Sequence, residues 1–358
     1  MRILQVITAL NLGGAQTLLE NLSYGLAVEG QDVTVVSLES QRTATARRLE
    51  ERGIRVIYLD KKPHFDSSVV GKLARVFREL RPDVVHAHNI RKLYVLGAAK
   101  KAGVRHVIYT VHNIAWKEQG RLGGAFSGLV FRAGLMVPVG LSPLVTQSIE
   151  ERYRLKNVPT IFNGTDLGRF HKKTDYRLHE PPVILNIARL DEQKNHARLI
   201  DAFELVLGSF PGAVLVIVGD GVLMEDLKSM TRERGLEQKV CFDGLRDDVA
   251  PYFDRADLFC LSSDYEGMPM TLIEAMAAGM PIVSTGVGGI PDMLRHGSSA
   301  LLTPPDAPAL AEAMLRLLSD TELRRSLGRA AWEESRRFSH RATAENYLAL
   351  YREVSEQG

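Results

Sequence analysis

Glu266 and Glu274 lie at the two ends of the run Glu-Gly-Met-Pro-Met-Thr-Leu-Ile-Glu, which follows a short apolar stretch at residues 258–261. Pro269 suits the first position of a helix, and Gly279 with Pro281 suits its end. A helix that begins there turns free N–H groups and a positive dipole end toward any anion placed before it. Glu266 falls on the loop ahead of the helix and Glu274 about one and a half turns inside it. A carboxylate accepts two hydrogen bonds from neighbouring hydroxyls, as on the ribose of a nucleotide. Glu274 is therefore assigned to a ribose and Glu266 to the hydroxyls of a second sugar. Gly267, Met268, Pro269, Met270 and Thr271 complete the binding segment. A capping residue followed by a solvated helix residue would give the same spacing, so the neighbouring segments decide.

Arg189-Leu-Asp-Glu-Gln-Lys194-Asn195 follows the apolar run 183–187 and precedes a helix that Asn195 can cap. A guanidinium fork and an ammonium point charge at one strand-to-helix loop fit a pyrophosphate. Gly219-Asp220-Gly221 and Gly244-Leu245-Arg246 end two further strands. Glycine there lets a flat base approach the backbone, with Gly219 and Leu245 beside it. No Asp-x-Asp pair suited to a divalent cation is present, so chemistry without metal or cofactor is expected.

The first half offers less. Gly13-Gly14-Ala15-Gln16 lies between the first strand and its helix, where backbone N–H groups can approach a phosphate or a sugar. The full G-x-G-x-x-G dinucleotide fingerprint is missing. His112 stands just past a strand and can hydrogen-bond a sugar hydroxyl. His86 and His88 share one face of another strand; as a metal pair they lack a carboxylate or cysteine partner.

The elements that must hold these residues are short apolar runs alternating with helix-period segments. Residues 3–8, 32–37, 55–59, 83–86 and 106–110 read as buried strands, with helices over segments such as 14–29 and 69–80. A second series has strands at 183–187, 214–218, 240–243, 258–261 and 282–284, with helices at 195–207, 223–234, 248–254 and 270–278. Residues 309–354 are helical by pattern. Such alternation predicts an α/β fold of two Rossmann-like domains with parallel sheets, ligand at the strands' carboxyl ends and in the cleft between the halves.

The chain has 358 residues, enough for two cores. Its net charge of +2 hides an asymmetry: residues 1–165 hold 23 Lys/Arg and 13 Asp/Glu, a net of about +10, and the remainder about −8. A basic first half favours an anionic acceptor or an anionic membrane surface, approached peripherally through Arg42, Arg47, Arg48, Lys61, Lys62, Arg91, Lys92, Lys100 and Lys101. Cys241 and Cys260 read as small core residues in a reducing compartment. No transmembrane run or signal peptide is evident, and a cytoplasmic protein is expected.

Taken together, the chain resembles the retaining glycosyltransferases of family 4, which have the GT-B fold. The resemblance runs through Gly13-Gly14, His112, Asn163-Gly164, Arg189 and Lys194, Gly219-Asp220-Gly221, Phe242-x-Gly244, the run from Glu266 to Gly279, and Gly288-Gly289-Ile290-Pro291. It spans essentially the whole chain. It implies a first domain over residues 1–165 that binds the acceptor, a second over 166–339 that binds a nucleotide-sugar donor, and a last helix at about 340–358 that returns to the first domain. It implies Arg189 and Lys194 on the donor diphosphate, Glu274 on the ribose, Glu266 on the donor sugar and His112 near the reacting carbon, with transfer that retains anomeric configuration. The expected acceptor is a sugar, polyprenol-linked or glycolipid hydroxyl in polysaccharide or glycolipid synthesis, with no nucleic acid involved. A nucleotide-sugar epimerase and a silent nucleotide-sugar-binding module stay open as alternatives.

Overall fold

The computed structural model describes residues 1–11, 13–118 and 120–356, and of residues 121 and 122 the backbone alone. It divides into two compact units, Met1–Asp166 with Phe338–Gly358, and Leu167–Arg337.

The first unit is built on β1 (Arg2–Ile7), β2 (Asp32–Ser37), β3 (Arg55–Tyr58), β4 (Val84–His88), β5 (Val107–Val111) and β6 (Val137–Gly140). All neighbours pair in parallel, in the order β3-β2-β1-β4-β5-β6. Parallel strands need crossover helices, which bury both faces of the sheet. The crossovers here are α1 (Gly14–Val28), α2 (Ala44–Glu51), α3 (Ser68–Leu80), α4 (Lys92–Ala102), and α5 (Ala115–Glu118) with α6 (Arg121–Arg132); α7 (Pro143–Tyr153) follows β6. Burial accounts for the absence of polar alternation in the sequence: all five residues of β4 and of β5 are buried.

The second unit repeats the plan. Its strands are β7 (Val183–Ile187), β8 (Val214–Val218), β9 (Val240–Gly244), β10 (Leu258–Leu261), β11 (Ile282–Thr285) and β12 (Leu301–Thr303), ordered β12-β11-β10-β7-β8-β9. Its helices are α8 (His196–Leu207), α9 (Met224–Glu233), α10 (Ala250–Asp254), α11 (Met270–Ala277), α12 (Ile290–Met293), α13 (Ala307–Ser319) and α14 (Thr321–Ser335). The chain then re-enters the first unit as α15 (His340–Glu356), which packs along α1. Backbone hydrogen bonds of 2.9 Å from Thr165 to Phe338 and 2.8 Å from His340 to Thr165 fasten that return.

Each sheet starts in its middle and is built outward first on one side, then on the other. This is the doubly wound order, with a switch point between β1 and β4 and another between β7 and β10.

Residues 309–354 are helical, as their pattern predicts, in α13, α14 and α15; Asp306 and Asp320 cap the first two, each side chain accepting a hydrogen bond from the backbone three residues on. Two expectations need correction. Pro269 is extended (φ −72°, ψ 119°) and stands before α11, whose first helical residue is Met270. Cys241 is exposed, because β9 is an edge strand whose side chains alternate and Val240 takes the inward position; Cys260 is buried in β10.

Candidate active site

The second switch point is where the sequence's strongest signals meet. β7 and β10 are neighbours in the sheet, so the loops leaving their carboxyl ends lie side by side. One carries Arg189 to Asn195, the other Ser262 to Pro269. The first loop is shaped by its own polar side chains. Asp191 accepts from the backbone of Lys194, and Asn195, in the left-handed region at φ 45°, caps α8 through the backbone of Arg198 at 3.1 Å. Ser262 Oγ donates to the carbonyls of Lys194 and Asn195 (2.9 and 3.1 Å), and Gln193 Nε2 to that of Tyr265 (2.9 Å). Arg198 bridges to the Ser262 carbonyl and to Asp264 at 2.9 and 2.5 Å.

Glu266 sits in the centre of this lacework and is only 3% exposed. Its Oε1 accepts from Lys194 Nζ at 2.5 Å and from Ser263 Oγ at 2.6 Å, and its Oε2 from Gln193 Nε2 at 3.4 Å. A carboxylate offers about four acceptor positions, so capacity remains for a ligand hydroxyl. Its backbone is clamped from behind: Gly289 N–H donates to the Glu266 carbonyl at 3.0 Å. Gly288 has φ +60°, and a Cβ there would lie 2.0 Å from that carbonyl oxygen, so only glycine fits.

Glu274 is of a different kind. It is 9% exposed, and its side chain makes no hydrogen bond among the described residues. Burial pushes its pKa up to about 7; the Arg169 guanidinium pulls against this and the Asp248 carboxylate adds to it. An unsatisfied buried carboxylate is costly, and hydroxyl donors from a ligand would relieve the cost. The N-terminus of α11, one turn before it, carries no side-chain cap, and residues 266–270 leading into it are buried.

The other assigned residues are placed as follows. Arg189 pairs with Asp191 at 3.1 Å and its side chain is 66% exposed; the structure brings it onto neither glutamate. Gly219 donates to the Gly244 carbonyl at 2.9 Å, so the loops after β8 and β9 abut, with Leu245 exposed beside them. Gly219 has φ +146° and its Cβ would fall 1.9 Å from the Ala188 carbonyl, which excludes any side chain.

In the first unit, Gly13 is the residue before α1 and its carbonyl accepts from Thr17 N–H at 3.0 Å; the Cβ position of Gly14 is open. Gln16 Nε2 ties the loop to Ala9 and Asn11. His112 follows β5, its ring 5.6 Å from that of His88, which lies 4.0 Å from His86. His86 bonds Tyr351 Oη and Thr110 Oγ1, both at 2.7 Å, and His88 Nε2 bonds Gln5 Oε1 at 2.7 Å. These two rings are thus engaged with β1, β5 and α15, and no cluster of three metal-ligating side chains occurs among the described residues. Burial pushes His112 down to about 4 and the other two well below the usual histidine value. His112 Nε2 is buried with no partner.

Sequence reasoning missed Ser263, Gln193 and Arg169. Gln193 lies inside the run from Arg189 to Asn195 and Ser263 just ahead of Glu266, but neither type carries a spacing signal of its own. Two residues of the proposed basic patch are also misassigned. Lys92 is 3% exposed, with its ammonium 3.7 Å over the Tyr109 ring, and Arg48 forks onto Glu20 with two bonds of 2.8 Å.

Doubly wound sheets of this order bind their ligands at the switch point, where the buried Glu266 and Lys194 lie. Residues 12–169 match the family described as Glycosyltransferase Family 4, and residues 169–334 the family described as Glycosyl transferases group 1. The chain belongs to the family 4 glycosyltransferases of GT-B fold. It is 26% identical over 307 residues to the N-acetyl-alpha-D-glucosaminyl L-malate synthase of Bacillus anthracis, covering 82% of this chain and 80% of the relative. It is 37% identical over 163 residues to the amylovoran biosynthesis glycosyltransferase AmsK of Erwinia amylovora, covering 43% and 40%. The crystal structure of Anabaena HepE in complex with UDP and glucose superposes with a TM-score of 0.86 at 21% identity, covering 98% of this chain and 99% of that one.

Proposed function

We propose that the chain moves a sugar from a nucleotide-diphosphate sugar to an acceptor hydroxyl with retention of anomeric configuration, in the synthesis of a polysaccharide or glycolipid. The observation that carries the reading is Glu274, a buried carboxylate without a protein partner one turn inside an uncapped helix. A ribose diol supplies the two donors it lacks. Lys194 and Arg189, with the N–H groups of α11, would take the charge of the departing diphosphate, so we propose that no metal or cofactor is required. Glu266, held by Lys194, Ser263 and Gln193, would accept from the donor sugar's hydroxyls. It is already engaged by a cation, which disfavours a role as covalent nucleophile. The acceptor would therefore attack on the face that the phosphate leaves, and the phosphate would take its proton.

HepE, the Anabaena structural neighbour, was crystallised with UDP and glucose, which makes uridine nucleotides the first probes. No helix among the described residues is long and apolar enough to cross a membrane, and we propose a cytoplasmic site of action. The test is thermal stabilisation by a panel of nucleoside diphosphates and their sugars, with and without EDTA. One nucleotide series should raise Tm by mass action, equally in EDTA, and should fail on Lys194→Ala and Glu274→Ala. No response to any nucleotide, or equal responses from both variants, would remove the reading.

A further inference from the structure

Gln5, His86, His88, Thr110, Tyr347 and Tyr351 are polar side chains of the first unit, and each is fully buried. They come from four elements. Gln5 lies opposite His86 in the register of β1 and β4, and Thr110 opposite His88 in that of β4 and β5. Tyr347 and Tyr351 stand four residues apart and so share one face of α15. One chain of hydrogen bonds joins all six. His88 Nε2 meets Gln5 Oε1 at 2.7 Å, and Gln5 Nε2 donates to Tyr351 Oη at a longer 3.5 Å. His86 Nδ1 lies 2.7 Å from the same hydroxyl and its Nε2 2.7 Å from Thr110 Oγ1, which in turn lies 2.9 Å from Tyr347 Oη.

Burial keeps both histidines neutral, so each ring has one N–H and one bare nitrogen. Gln5 presents its carbonyl oxygen to His88, which therefore holds its proton on Nε2. The Gln5 amide N–H occupies a lone pair of Tyr351 Oη, whose own proton then goes to His86 Nδ1. His86 Nε2–H is left to donate to Thr110. This one proton order satisfies both ring nitrogens of His86, while His88 Nδ1 is buried and has no partner. Stability alone does not call for such a chain, because apolar side chains of the same shape serve a core as well. A satisfied polar network does something else: it holds its members in one arrangement.

The arrangement ends at His112. The His88 ring packs 5.6 Å, centroid to centroid, from that of His112, which stands just past the carboxyl end of β5, where doubly wound sheets place their ligands. His112 Nε2 is buried without a partner, and a ligand hydroxyl would satisfy it. Packing is what orients this ring, with His88 at its side. We infer that Gln5, His88 and Tyr351 are positioning residues for His112: the Tyr351 hydroxyl on the last helix, through Gln5, sets the His88 ring, and that ring sets the His112 ring against the substrate. The last helix thus serves the reaction without touching it. The inference rests on the proposed transfer for what His112 meets, and the ring geometry is tested apart from it.

Tyr351→Phe removes one oxygen, and Gln5→Met cuts the same link one residue further on. Leu348→Ala loosens α15 at a buried residue outside the chain of hydrogen bonds. Nitrogen-edited NMR spectra of the histidine rings, taken on the ligand-free full chain, should show the His112 cross-peaks displaced or doubled in the first two variants and at the wild-type position in Leu348→Ala. In steady-state release of UDP from UDP-glucose, kcat should fall about tenfold in Tyr351→Phe and in Gln5→Met, with KM within about twofold of wild type. Leu348→Ala should keep the wild-type kcat although its Tm falls. His112 peaks that do not move in Tyr351→Phe and Gln5→Met overturn the inference. So does an equal loss of turnover in Leu348→Ala, which would make α15 a structural support only. A wild type that releases no UDP counts against the donor reading instead, and the ring spectra then decide this inference by themselves.

Discussion

Lys194 Nζ and Glu266 Oε1 lie 2.5 Å apart although 72 residues separate them in the chain. The pair is mostly buried, with the lysine side chain 13% and the glutamate 5% exposed. Removing one member leaves the other charged and desolvated. Lys194→Ala is expected to destabilise the protein by about 3 kcal/mol, and Lys194→Ala/Glu266→Ala by less than the sum of the single changes, with a coupling of about 1 kcal/mol or more. Urea unfolding of the four proteins measures it. Additive effects would mean that the two groups do not form the ion pair.

Glu274 makes ligand-free stability depend on pH. Its pKa is raised from 4.5 to about 7 in the folded protein. Between those values the folded state keeps a proton that the unfolded state has lost. Stability therefore falls as pH rises from about 4.5 to about 7 and levels off above. Glu274→Gln removes this decline. It should leave the apo protein unchanged near pH 4 and more stable at pH 8 by up to about 3 kcal/mol, read as a higher Tm. A Glu274→Gln protein less stable than wild type at pH 8 would show the carboxylate to be satisfied within the fold.

His112 should remain neutral across the physiological range. Burial holds it at about 4, below the unfolded value of about 6.5. Its contribution to stability is present above that unfolded value and is lost as pH falls toward the folded one. The His112 ring resonances in an NMR titration should therefore move with a midpoint near 4. A midpoint near 6.5 would mean that the ring is hydrated, and would release it from the packed row with His88 and His86.

Much of the fold was legible because both sheets are buried on two faces. Apolar runs such as residues 183–187 and 214–218 stand out against polar neighbours, and β7 and β8 occupy those positions. β12 was not legible, since Leu301–Thr303 is three residues long and follows a serine turn. Within the candidate site, residue types at strand ends singled out Lys194, Glu266 and Glu274. What no spacing could supply was strand order. That Lys194 meets Glu266 follows from β7 lying beside β10, whereas Arg189, on the same loop, turns back to Asp191. The partnerless state of Glu274 is likewise a property of packing and not of sequence.

The central claim is that Glu274 holds the ribose hydroxyls of a nucleotide. Calorimetric titration of UDP and 2′,3′-dideoxy-UDP into wild type and Glu274→Ala tests it most directly, because only the diol and its acceptor are varied. Wild type should bind UDP about tenfold or more tightly than the dideoxy compound, a difference of about 1.4 kcal/mol, and Glu274→Ala should bind the two alike. A variant that still prefers UDP by the wild-type margin would place the ribose elsewhere and contradict the account.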